Sequence, residues 1–180
     1  MTIQFENAKL GELAAIWTLY QQVTESMRMH GIDQWDSTYP TLEVIQTDIA
    51  QEHMYVAKID GELAGALVLN TDCDNEYALA NWSNLQNFVV LHRLCVNPSF
   101  QSKGLGRQIM LWIESYLMSS NTHSLHLDVF SENPHALKLY HSLDYQIVGD
   151  ATFRKGQFYL MEKVIKKEQL PTKSAEIIKR

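Results

Sequence analysis

Residues 91 to 107, Leu-His-Arg-Leu-Cys-Val-Asn-Pro-Ser-Phe-Gln-Ser-Lys-Gly-Leu-Gly-Arg, place two glycines and two cations where an apolar strand gives way to an apolar-periodic helix. Glycines there let a ligand come close to the backbone with no Cβ in the way. The N–H groups of a helix's first turn have no partner in the helix, and the dipole behind them favours an anion. Lys103 and Arg107 flank the turn with positive charge, so the chemistry on offer is phosphate or pyrophosphate binding. Spacing narrows it. A P-loop needs a Gly-Lys-Ser/Thr that residues 101–107 lack, and a dinucleotide fingerprint needs a third glycine where Ile109 stands.

A second constellation lies downstream. Leu125 to Phe130 alternates like a strand, and Ser131-Glu132-Asn133-Pro134 punctuates it. Ala136-Leu137-Lys138-Leu139-Tyr140 then reads as a helix ending near Leu143, before a strand from Tyr145 to Gly149. His126 and Asp128 share one face of the strand, but two residues do not make a metal site, and no metal is expected.

Together the two segments resemble the acetyl-CoA site of the GCN5-related N-acetyltransferase (GNAT) superfamily. Gln101-Ser102-Lys103-Gly104-Leu105-Gly106 matches that family's Gln/Arg-x-x-Gly-x-Gly/Ala pyrophosphate loop at every defined position. Asn133, Ala136, Tyr140 and Tyr145 match its following Asn-x-x-Ala, aromatic, closing-strand pattern. Asp144 stands where the family has Gly; Asp tolerates a left-handed helix end better than most residues. The resemblance covers residues 88 to 150.

It implies a mixed α/β sheet of the GNAT, acyl-CoA N-acyltransferase fold, with element order β-α-α-β-β-β-α-β-α-β-β. The activity it implies is acetyl transfer from acetyl-CoA to a primary amine, on a small molecule or a protein, by direct attack in a ternary complex. Backbone groups from Gln101 to Arg107, through Ser102, Lys103, Gly104, Leu105 and Gly106, would hold the pyrophosphate. The main chain of Leu94, Cys95 and Val96 would run beside the pantetheine arm like an added strand, with Asn133 hydrogen-bonding it or capping the next helix. Tyr140 matches the tyrosine that protonates the departing thiolate. Its pKa of about 10 keeps it protonated at neutral pH, and a core aromatic is the plainer alternative. For the base, His92 stands where some relatives carry a glutamate, and its pKa suits proton acceptance. A hydrogen-bonded strand histidine, or a water-relayed base such as Asp74 or Glu76, remains open. Arg93 is expected on the opposite face of the strand from His92, in a structural or interfacial role. Trp35 and Tyr39 fall where the family's acceptor pocket lies, or else pack helices. Family habit suggests a homodimer. A non-catalytic acyl-CoA-binding sensor is the alternative function.

The elements that must position these groups are legible from periodicity. One hundred and eighty residues, 46% hydrophobic and 20% charged, suit one domain, taken as residues 1–165 with a charged tail over 166–180. Within that tail, 175–179 could form a short helix. Ile3 and Phe5 alternate as a first strand. Leu10, Leu13, Ala14, Trp17, Tyr20 and Met27 recur at helical spacing up to Gly31, and Thr41 can cap a second helix. Asp60-Gly61 predicts a tight hairpin between strands 54–59 and 63–69. Residues 70–87 are polar and irregular, a length of loop that is often functional. Leu105, Ile109, Ile113 and Leu117 form one face of the helix after the glycines. A net charge of -6 disfavours a nucleic-acid partner. No signal peptide or apolar run of membrane-spanning length is seen, and two cysteines are too few for a disulfide framework. The expectation is a cytoplasmic, reduced protein.

Overall fold

The computed structural model describes residues 3–83 and 85–165. The tail assigned to 166–180, and the short helix expected within it, lie outside the described residues. The expected element order is the one observed: β1 (Ile3–Asn7), α1 (Leu13–Met29), α2 (Leu42–Ala50), β2 (Met54–Ile59), β3 (Glu62–Asn70), β4 (Phe88–Val96), α3 (Leu105–Met118), β5 (Ser124–Phe130), α4 (Pro134–His141), β6 (Gln146–Phe153) and β7 (Gly156–Val164). One sheet runs β1-β2-β3-β4-β5-β7-β6. Its neighbours are antiparallel except β4 and β5, which are joined by the crossover helix α3 and lie parallel.

Local chemistry sets the ends. Thr41 accepts a hydrogen bond from the Val44 N–H and starts α2. Asp60 and Gly61 both take positive φ, the backbone of a two-residue hairpin turn. Asp144 is left-handed at φ 65°, as a residue replacing the helix-ending glycine must be. The sheet then separates two cores. On one face α1 and α2 bury Ile16, Leu19, Ile45 and Ile49 against Val56, Val68 and Cys95. On the other, α3 and α4 bury Leu105, Ile109, Ile113 and Leu117 against Leu67, Leu91 and Leu127. Each of those four α3 side chains contributes about 1.5–3 kcal/mol by leaving water. No helix among the described residues is long and apolar enough to cross a membrane.

One irregularity interrupts the pairing of β3 with β4. Ala66 pairs with Cys95 but Val68 pairs with His92, so two residues of β3 span three of β4. The extra residue is a β-bulge at Arg93–Leu94, and Arg93 takes φ 50°. Beyond it β4 leaves β5: their pairing runs from Phe88–Ser124 to Leu91–Leu127 and stops. The bulge also corrects one expectation. Arg93 does not alternate away from His92. The extra residue resets the alternation, and both side chains reach the α1–α2 side, where they line the same cleft.

Candidate active site

A cleft of about 1100 Å³ opens where β4 and β5 part. It collects side chains from every layer: Leu94 of β4, Asp128 of β5, Asn133 at the start of α4 and Tyr140 within it, Trp35 and Tyr39 of the α1–α2 connection, and Asp72 to Asp74 of the loop after β3. A continuous passage from the α4 side to the α2 side of the sheet needs a gap between strands, and the bulge provides it.

The glycine loop lies between β4 and α3. Gly104 caps α3 in the left-handed conformation, φ 75°, where a Cβ would strain the backbone. Gln108 N–H to Gly104 C=O is the first bond of the helix, which leaves the N–H groups of Leu105, Gly106 and Arg107 ahead of it. Gly106 answers a different need: a Cβ there would come within 3.3 Å of the Leu139 Cδ2, so it lets α3 approach α4. Ser102 is also left-handed, and Gln101 ties the loop back by donating to the Val96 carbonyl. Lys103 donates to the Ser99 carbonyl over the Phe100 ring, and Arg107 to Ser142. Along β4, Leu94 and Val96 face the α3–α4 core while Cys95 is buried on the other side. From His92 onward β4 presents an edge that β5 does not pair. An exposed helix N-terminus beside an unpaired strand edge fits a pyrophosphate with an amide-bearing arm, as in coenzyme A.

Asn133 caps α4, its Oδ1 accepting from the Ala136 N–H, while its Nδ2 donates to Gln34 Oε1 at 2.9 Å. Tyr140 is buried, with burial and the nearby Asp128 charge pushing its phenol well above the ordinary range. It stays protonated, the form a general acid needs.

His92 is equally constrained. Its Nε2 lies 3.0 Å from Asn70 Oδ1 and from the Asp72 carbonyl. A carbonyl can only accept, so Nε2 carries the hydrogen and Nδ1 the lone pair. Burial, aided by the Arg93 charge, lowers its pKa to about 4. His92 is therefore neutral at physiological pH, though a weak base. Asp128 is the group that sequence reading left without a role. Burial raises its carboxyl above the usual range, and one oxygen accepts the Tyr77 hydroxyl at 2.7 Å. The only local signal was a carboxylate near the end of a largely buried strand. His126, two residues earlier, is held off the cleft, stacked between Trp82 and Phe88 and bonded to Ser124 and Glu162. Asp74 lines the cleft and Glu76 does not. Neither thiol is an activated nucleophile: burial pushes Cys95 up to about 12, and burial with Asp74 and Asp72 raises Cys73.

Helices pack on both faces of one sheet, two of its strands run parallel and part after Leu91, and Gly104 opens α3 after the loop that follows β4. The chain belongs to the acetyltransferase (GNAT) family, whose sequence model matches residues 14–145. It is 27% identical over 159 residues, 86% of each chain, to an uncharacterized N-acetyltransferase, YesJ, of Bacillus subtilis. Its fold is similar to a GNAT-family acetyltransferase from Streptococcus agalactiae, with TM-score 0.81, 20% identity and coverage of 92% and 96% of the two chains. It is similar also to the PaiA N-acetyltransferase of Thermoplasma acidophilum in complex with coenzyme A, with TM-score 0.69, 16% identity and coverage of 91% and 99%.

Proposed function

We propose that this chain, through a catalytic unit of residues 1–165, moves acetyl from acetyl-CoA to a primary amine by direct attack in a ternary complex. The observation that carries the reading is the meeting of Asp128 and Tyr140 on one cleft at the point where β4 and β5 part. A thioester held there offers an acyl carbon open to an amine. The main chain of Gln101–Arg107 binds the pyrophosphate, and residues 94–96 with Asn133 align the arm. Asp128 takes the proton that an arriving ammonium must lose, its raised pKa making it a better base than an exposed carboxylate. His92, neutral with its lone pair on Nδ1, accepts a second N–H of the amine or relays the proton. Tyr140 supplies a proton to the departing sulfur. The absence of an activated thiol in the cleft supports direct attack over a covalent acyl-enzyme.

The acceptor is the amine of a small molecule or of a protein. A thiol-release assay over a panel of small amines and peptide amino termini tests the reading, with Tyr140→Phe in parallel. Turnover on at least one amine, lowered about 10²-fold or more by Tyr140→Phe at unchanged acetyl-CoA binding, is the expected result. Acetyl-CoA binding with no turnover on any amine would instead make the chain an acyl-CoA sensor.

A further inference from the structure

The left-handed residue that opens the cleft is held from the far side of the molecule. Arg93 has φ 50°, a conformation an arginine adopts only when its surroundings impose it. Its carbonyl accepts the Tyr20 hydroxyl of α1 at 2.8 Å. Its guanidinium donates to Asp48 Oδ1 of α2 at 2.7 Å and to the Tyr39 hydroxyl of the α1–α2 connection, also at 2.7 Å. Three elements of the acceptor-side layer therefore grip the one residue whose backbone separates β4 from β5.

The grip is poorly designed for stability alone. Asp48 is 6% exposed, yet among the described residues its Oδ2 has no hydrogen-bond partner, nor has the Arg93 Nε. A buried ion pair with an orphaned atom on each side gains less than a well-packed apolar pair would. What the pair does supply is direction, because a planar guanidinium held at two of its nitrogens fixes the course of the backbone it hangs from.

We infer that Arg93 is a positioning residue, and that Tyr20, Tyr39 and Asp48 brace it so that the β4 bulge keeps the donor gap open. The inference rests on the proposed use of that gap by coenzyme A, and it makes donor affinity depend on side chains of α1 and α2 that lie on the acceptor side of the sheet.

Calorimetric titration with coenzyme A, paired with thermal unfolding, tests it on the full chain. The variants are Tyr20→Phe, which deletes one hydroxyl, and the double variant Asp48→Leu/Arg93→Met, which replaces the pair with apolar side chains. The expected result is at least a tenfold rise in the coenzyme A Kd for the double variant and a severalfold rise for Tyr20→Phe. The Tyr20→Phe melting temperature should stay within a few degrees of wild type. A merely structural pair would lower melting and leave Kd where it was. Folded variants that bind coenzyme A within twofold of wild type overturn the inference. If the double variant does not fold, Tyr20→Phe decides on the same two criteria. Failure of the wild type itself to bind coenzyme A would remove the proposed activity and the brace with it.

Discussion

The state of His92 can be read from stability as well as from catalysis. In the folded chain burial holds its pKa near 4, against 6.5 for an ordinary histidine. Below pH 6.5 the unfolded chain takes up a proton there and the folded chain does not, so acid favours unfolding until the pH passes the folded value. The stability associated with this depressed group is present above pH 6.5 and lost progressively down to about pH 4. At pH 5 the unfolded site is protonated in excess by about 1.5 decades, which corresponds to roughly 2 kcal/mol, rising to about 3 kcal/mol at pH 4. For a chain of this length 1 kcal/mol moves the melting temperature by about 2–4 °C, so the pH 5 effect is roughly 4–8 °C. Burial lowers the His126 pKa as well, which adds acid sensitivity of the same sign. The quantity to measure is therefore the difference between wild type and His92→Gln, by circular dichroism melts from pH 7.5 to 4.5. Glutamine keeps a donor for Asn70 and the Asp72 carbonyl but takes up no proton. The variant should lose less stability on acidification, closing on or overtaking the wild type by several degrees at pH 5. Parallel melting curves across the range would refute a neutral, buried His92, and with it any role as a neutral acceptor in the cleft.

Further outcomes follow from the same geometry. Asp128→Asn should lower kcat by about 10²–10⁴-fold, and it should remove the acid limb of kcat/KM, which Asp128 places above the ordinary carboxylate range. If that limb stays in the variant and vanishes in His92→Gln, His92 is the base. Gly104→Val should cost about 1–2 kcal/mol from its left-handed backbone alone, read as a lower melting temperature and a raised acetyl-CoA KM, with Gly104→Asn milder on both. Arg154→Ala removes a fork onto Asp36, at 2.9 and 3.1 Å, that ties the β6–β7 turn to the α1–α2 connection. Because Arg154 is largely exposed, its melting temperature should fall by no more than about 1 kcal/mol's equivalent and less at high salt.

Much of this molecule is local enough to be legible in its residues. The α3 stripe Leu105, Ile109, Ile113 and Leu117 is fully buried because helical periodicity and burial are one constraint. Thr41, Asp60-Gly61, Gly104 and Asp144 act within a few residues of themselves, and each takes the conformation its side chain permits. The turn that opens α3 was legible for the same reason, since its glycines and the first N–H groups of the helix are contiguous. Asn133 showed a second limit: its identity suited a helix cap and a hydrogen bond to the pantetheine arm alike, and in the structure it caps α4 while its Nδ2 donates to Gln34.

What the tertiary structure decided lies at Arg93 and Asp128. Strict alternation would send Arg93 away from His92, and no nearby residue signals otherwise. The bulge is held by Tyr20, Tyr39 and Asp48, partners 73, 54 and 45 positions away. Asp128 likewise gained a role only when Tyr77, 51 positions back in an irregular loop, was brought against it and the parting of β4 and β5 opened beside it. Periodicity and capping act between chain neighbours, so the sequence alone determines the elements and the glycine turn that opens α3. A strand's register and a carboxylate's desolvation depend on contacts between distant segments, which exist only once the chain has folded.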